Sequence, residues 1–379
     1  MEFRFTEEQL MIQDMAASFV EEVSTSESVR AAMQSSMGYD PEVWQRITQE
    51  LCWQALPIDE EQGGLGLGFV ELAALLEQTG RRLLCSPFFA TVCMALYTLK
   101  QCPNSDAKTQ LIEALLEGQT ATLVHTDANG SWQADAALPE LKSGVISGSA
   151  SHVLNGDSAQ WLIVAVREAS GLSLFKMATD TAGLTREALA SMDQTRRLAR
   201  VEFNGVKLED VERLCDPQQG SAIVQVTLEL ARIGAAAEMV GVAQQSLDSS
   251  VAYIKERIQF GRTIASFQAV KHKCADVMVK LESSRSALYY AACIADEFMA
   301  GSASLRDLQE AASIANTYAS EASFFAAGVG IQLHGGVGIT AEYDIQLYFK
   351  RARALEAYLG QPHWHRERLA SLLLDGDAA

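Results

Sequence analysis

Apolar residues recur every three to four positions from Phe5 to about Gly118, most clearly in FVELAALLEQTG (69–80) and QLIEALLEG (110–118), and that period predicts helices. The glycine-dense stretch EEQGGLGLG (60–68) breaks the pattern and demands a loop. After Gly118 the texture changes to short runs rich in β-branched and aromatic residues: ATLVHT, VISGSA, WLIVAV, LSLFKM and LARVEFNGVKL. Asn-Gly, Gly-Asp and Ser-Gly turn signals separate them, so a compact all-β insert is predicted.

From about Ser221 the helical period returns. Leu228, Ala231, Val240, Val242, Leu247, Val251 and Ile254 mark one amphipathic face, and a second follows from Val270 through Cys274, Val277, Leu281, Leu288, Ala292 and Ala295 to Phe298. Two more helices are predicted near 305–327 and 342–358, and four helices assemble most simply as an antiparallel bundle. The expected fold is therefore mainly α with a β insert. It comprises an N-terminal α-helical domain (1–119), a middle β-barrel or sandwich domain (120–215) and a C-terminal four-helix bundle (216–379).

Composition narrows the partners. A formal charge of −18 repels nucleic acid and anionic membrane alike. EFRFTEEQ after Met1 has neither the basic start nor the apolar core of a secretory signal, and no run of about 18 uninterrupted apolar residues follows. The expectation is a soluble cytoplasmic protein. Seven cysteines without a C-x-x-C pair predict reduced core thiols.

GGLGLG (63–68) and GVGIQLHGGVG (328–338) resemble phosphate loops, yet neither follows a predicted strand in a β-α-β unit, so a Rossmann reading fails. His363 and His365 stand two apart and point to different sides of a helix, so they cannot share a metal there and are expected to be a solvated pair; His152 and His334 are expected to be equally ordinary. RIQFGRTIASFQAVKH (257–272) differs from these: Arg257, Arg262, Lys271 and His272 cluster in an acidic chain around Phe260-Gly261. Cation, aromatic ring and amide within one turn are what an anionic, ring-bearing cofactor requires.

RIQFGRTIASFQAVKHKCAD and IQLHGGVGITAEYDIQLYFKRAR resemble the two signature segments of the acyl-CoA dehydrogenase family, in the same order, and the likeness spans nearly the whole chain. The resemblance implies FAD and removal of two hydrogens from Cα and Cβ of an acyl-CoA thioester. A carboxylate takes the α-proton while hydride leaves for the flavin. Family members present that glutamate in a Tyr-Glu-Gly-Thr turn, which falls here on Tyr358-Leu359-Gly360-Gln361 and puts Leu359 at the base position. A smaller branch places it one residue before a retained arginine. Here the arginine is Arg232 and the residue before it is Ala231, so both base positions are empty. Glu356 and Glu229 are the nearest substitutes, and one helical turn of displacement moves a carboxylate roughly 5 Å, enough to lose attack geometry.

The resemblance further implies that Arg257, Phe260, Gln268, Gln332, Gly335 and Gly336 reach across a subunit interface to the neighbour's FAD. The chain's own isoalloxazine would sit in the β domain, where HTDANGSWQAD (125–135) and HVLNG (152–156) stand for a Thr-Glu-Pro-x-x-Gly-Ser-Asp-like loop and a Trp-x-Thr strand. Thr126 and Asp127 echo the first; His152 and Leu154 replace the tryptophan and threonine of the second. GRRLLCSPFFAT (80–91) and SMDQTRRLARVEF (191–203) resemble bacterial two-subunit dehydrogenases of sterol-derived CoA thioesters. The leading expectation is thus a subunit of an α2β2 enzyme that completes the FAD site while a second subunit carries the catalytic glutamate. The alternatives are an autonomous enzyme with another base or a lyase- or desulfinase-type reaction, and a structural or regulatory protein without flavin.

Overall fold

A computed structural model describes residues 5–133, 136 and 138–374. Ala134 and Asp135 of HTDANGSWQAD lie outside the described residues. Thr6 opens α1 (Glu7–Val23) with a capping box: its hydroxyl accepts from the Gln9 amide while the Gln9 side chain accepts from the Thr6 N–H. α2 (Ser26–Gln34), α3 (Pro41–Gln45), α4 (Phe69–Arg81), α5 (Tyr97–Gln101) and α6 (Asp106–Leu116) follow, with π-helical turns at Arg46–Glu50 and Phe89–Leu96. Helical segment, β domain and helical bundle follow one another in the predicted order.

By its contacts the chain forms two compact units, Met1–Val29 with Gly68–Leu84 and Arg232–Ala379, and Arg30–Leu67 with Cys85–Ala231. The second unit holds an eight-stranded sheet. Its strands are β1 (Ala121–Val124), β2 (Glu140–Lys142), β3 (Val145–Leu154), β4 (Trp161–Glu168), β5 (Gly171–Ala178), β6 (Leu184–Ala188), β7 (Leu198–Lys207) and β8 (Glu212–Cys215), in the order β6-β7-β3-β2-β4-β5-β8 with β1 parallel to β4. The unbroken apolar run of β4 is buried on both faces, as such runs are. Val124, Ile146, Val153, Val164, Phe175 and Phe203 belong to one core cluster.

GGLGLG belongs to this unit up to Leu67 and is a packing loop. A Cβ on Gly64 would stand 2.0 Å from the Ile58 carbonyl oxygen, and the Gly66 and Leu67 amides donate to the carbonyls of Ile58 and Leu56. No phosphate is needed to explain its glycines.

The first unit is helical. α7 (Gly220–Glu256) continues into it from Arg232 and leads through a hairpin of β9 (Ile258–Gln259) and β10 (Arg262–Thr263) to α8 (Gln268–Met299), α9 (Leu305–His334), α10 (Ile345–Ala357) and α11 (Pro362–Leu374). α9 runs seven residues beyond the predicted end at 327, because Gly330 is there for closeness: a Cβ would lie 2.6 Å from Ile345 and 3.0 Å from the Ser250 hydroxyl. Pro362, fit for a first helical turn, starts a helix beyond the four predicted.

Leu305–Ile339 is long and apolar enough in composition to cross a bilayer, and half of its most apolar window is buried inside the protein. All seven cysteines are free. Among the described residues no group of three or more His, Cys, Asp or Glu is placed to hold a metal ion; His363 is exposed and His365 fully enclosed on opposite sides of α11.

Candidate functional site

Glu256 ends α7, and the chain reverses through a two-residue hairpin loop whose residues, Phe260 and Gly261, both have positive φ (52° and 74°). That is the geometry of a type I′ turn, normally filled by Asn-Gly. Phenylalanine in the left-handed region costs about 1 kcal/mol, yet Phe260 is 90% exposed, so no burial within the chain offsets the strain. Its ring meets Phe267 edge-on at 6.1 Å, and Arg262 lies over Phe267 at 4.0 Å. Arg257 is exposed beside this hairpin, and Gln268 is exposed at the first position of α8.

α9 brings the other segment alongside. Gln332, exposed on its last turn, accepts from the Lys273 ammonium of α8 at 3.3 Å. Gly335 ends the helix at φ 67°, ψ −142°, a region essentially closed to residues with a side chain. Gly336 is different: its φ is not positive, and an added Cβ would meet nothing within 4 Å. Nothing inside the chain requires glycine at 336, and its bare backbone is open to close approach. The structure thus gathers Arg257, Phe260, Gln268, Gln332, Gly335 and Gly336 onto neighbouring elements of one unit. Lys273 was not singled out by the sequence; its place in the second turn of α8, directly after Lys271 and His272 of the basic cluster, is the signal that could have found it.

The turn at the expected base position is built and closed. Leu359 is 1% exposed, with φ 58°, and is followed by Gly360 at φ 122°. Arg232, buried on α7, donates from Nε to the Leu359 carbonyl at 3.0 Å and stacks over Trp364 at 5.0 Å. Behind the turn, His365 is fully buried, and neither ring nitrogen reaches a partner at hydrogen-bond geometry. A Cβ on Gly360 would lie 2.8 Å from its Nε2. Burial, then the charges of Arg232 and Arg368, pull its pKa to about 3 against a smaller upward pull from the Gly360 backbone.

No carboxylate replaces the missing one in this turn. Ala231 is fully buried in α7 and Glu229 is buried two residues before it. Glu356 is tied to Arg353 in its own helix.

In the second unit, the positions that echo a flavin-binding loop serve the fold instead. Thr126 donates to the Ser151 carbonyl at 2.6 Å, and Asp127 accepts from the amides of Asn129 (2.8 Å) and Ser131 (2.9 Å) within its own turn. β3 is bulged between Ala150 and Val153, which throws His152 to φ 61°. Its ring lies on Gly130, where a Cβ would stand 2.3 Å from Nδ1. Leu154 is buried.

These arrangements decide what each side fits. Arg257, Phe260, Gln268, Lys273 and the Gly335–Gly336 turn offer cations, an aromatic face and approachable backbone, which suit a planar, anionic group such as FAD. Thr126 and Asp127 fit its ring less well, since their polar groups are buried and engaged within the chain, while His152 is exposed with its ring against Gly130.

Residues 6–119 match the family described as "Acyl-CoA dehydrogenase, N-terminal domain" and residues 218–374 "Acyl-CoA dehydrogenase, C-terminal domain". Acyl-CoA dehydrogenase IpdE2 of Mycolicibacterium smegmatis is 34% identical over 364 residues, covering 96% of this chain and 98% of the relative. Its counterpart from Mycobacterium tuberculosis is 35% identical, covering 96% and 97%. Among solved structures, a variant of the Tcur3481-Tcur3483 steroid ACAD is 26% identical with a TM-score of 0.85, covering 98% of this chain and 99% of that one. The ChsE4-ChsE5 complex of Mycobacterium tuberculosis shares the fold at a TM-score of 0.88 and 23% identity, over the full length of both chains. By fold, signature segments and these likenesses, the chain belongs to the acyl-CoA dehydrogenase family, oxidoreductases that act on acyl-CoA.

Proposed function

We propose that this chain is the base-lacking subunit of a heteromeric, FAD-dependent acyl-CoA dehydrogenase, α2β2 in composition and cytoplasmic. Its hairpin and glycine turn complete a flavin site on a partner subunit, and the partner supplies the glutamate that takes the α-proton. FAD, when bound there, accepts the hydride from Cβ. This chain's share is binding: Arg257 and Lys273 face the anionic part of the cofactor, Phe260 covers a ring, and Gly336 admits backbone contact.

One observation carries the reading. Leu359, an enclosed hydrocarbon side chain in a turn that Arg232 holds at the backbone, stands at the position to which the family resemblance assigns the proton-accepting glutamate. The likeness to a steroid ACAD supports a sterol-derived acyl-CoA as the substrate. Co-expression with a glutamate-bearing dehydrogenase subunit tests the proposal. The expected product is a yellow complex with one FAD per pair of unlike chains, active only when both are present. A flavin-loaded homotetramer of this chain alone, turning over acyl-CoA, would end it.

A further inference from the structure

His334 closes α9 immediately before the Gly335–Gly336 turn, and it is 8% exposed. Its Nδ1 pairs with the Gly330 carbonyl one turn back at 2.7 Å, which fixes the ring against its own helix. Nδ1 is therefore the protonated nitrogen, since a carbonyl only accepts. Burial holds its pKa below the ordinary histidine range, so the ring is neutral.

The ring face is used as well. Tyr253 of α7 stacks on it with centroids 4.3 Å apart and planes 20° from parallel, and Tyr343 meets both rings edge-on at 6.0 and 6.3 Å. Tyr253 Oη donates to the His334 backbone carbonyl at 3.4 Å. The Tyr253 carbonyl in turn accepts from the Arg257 amide at 2.9 Å, at the root of the hairpin. On the other side, a Cβ on Gly338 would stand 3.0 Å from the His334 Cβ, so the glycine turn lies directly against this residue.

We propose that His334 is a positioning residue: stacked on Tyr253, it locks the Arg257–Gln268 hairpin and the Gly335–Gly336 turn into one rigid surface, so that both meet a partner's FAD in a single geometry. The inference rests on the proposed lending of this surface to a second subunit. It adds which residue sets the surface. Each segment alone is exposed and short, and two short segments held independently lose more freedom on binding than one preformed surface. An aromatic stack between α7 and α9 removes that loss.

The test is a double-mutant cycle on the co-purified complex, reading FAD affinity by flavin fluorescence together with subunit assembly and melting temperature. His334→Ala and Tyr253→Leu each weaken FAD binding about tenfold, and the double variant is no worse than either alone. His334→Phe, which keeps the stack and loses the Gly330 anchor, restores affinity to within about threefold. Assembly stays intact in all. Wild-type FAD affinity in His334→Ala, or fully additive losses in the double variant, overturns the inference while leaving the proposed function standing. A wild-type complex that holds no FAD overturns both.

Discussion

Arg257, Phe260, Gln268 and the Gly335–Gly336 turn present their chemistry to the surroundings, whereas Thr126, Asp127 and Leu359 direct theirs into the chain's own fold. Both groups include residues at positive φ, Phe260 at 52° on one side and Leu359 at 58° on the other. Strain at an exposed residue is retained without internal compensation. At Leu359 it is offset by burial and by the Arg232 bond to its carbonyl. The comparison teaches that one backbone feature, a residue at positive φ, can stand bare at the surface or be supported by burial and a hydrogen bond to its carbonyl.

The largest expected effect lies on the inward side. Leu359→Glu puts a carboxylate in a site 1% exposed. Removing the buried leucine and desolvating the charge lowers stability by about 3 kcal/mol or more in urea unfolding. On the proposed function, the isolated variant gains no dehydrogenase turnover. Flavin uptake and turnover by this single chain would break the comparison.

On the outward side, Gly336→Val adds bulk where the chain has none nearby. The flavin-free chain melts within about 2 °C of the parent, as surface substitutions do. FAD affinity of the heteromeric complex falls about 100-fold, equal to about 2.7 kcal/mol. A variant that binds FAD normally would mean that the glycine turn faces no partner.

Much of this was legible before any coordinates. The period of α7 and α8, the β-branched runs of β3 to β5 and β7, and the two signature segments gave the fold and the exposed surface, because helix faces and turn chemistry are written locally. The strands β2, β6 and β8 were missed: ELK, LTREA and ERLC lack the apolar alternation that marks a strand and are held by pairing with distant partners. α9 extends past 327 through Gly328 and Gly330, which in the sequence belong to a phosphate-loop-like glycine run until Ile345 is seen against Gly330. His334 is expected to be ordinary and His365 one of a solvated pair, yet the structure buries both, His365 completely. A lone histidine carries no pattern; only Tyr253 across the stack and Gly360 against the ring give them meaning.

Acid sharpens the contrast between the two sides. The pKa of His365 is about 3 in the folded chain and near 6.5 when unfolded, so between these values only the unfolded chain takes up a proton. Stability is therefore full above about pH 6.5 and is lost as pH falls toward 3. One proton corresponds to about 1.4 kcal/mol per pH unit, so unfolding at pH 5 lies about 2 kcal/mol below that at pH 7. His365→Phe flattens this part of the profile. An unchanged slope in the variant would show that the Leu359–Gly360 turn does not depend on a neutral ring behind it.

The smallest effect discriminates most finely between a closed flavin loop and a working one. Thr126→Val removes the hydroxyl that donates to the Ser151 carbonyl and keeps the volume. Losing one buried hydrogen bond costs about 1 kcal/mol, read as a lowered melting temperature of the flavin-free chain. If the hydroxyl serves only the fold, the complex retains its full FAD content and the same flavin absorption bands. If it also touches a flavin ring, those bands shift and a fraction of the FAD is lost in proportion to the sites affected. Because the destabilisation is the same in either case, the spectrum alone separates a loop that has turned inward from one that still holds its own cofactor.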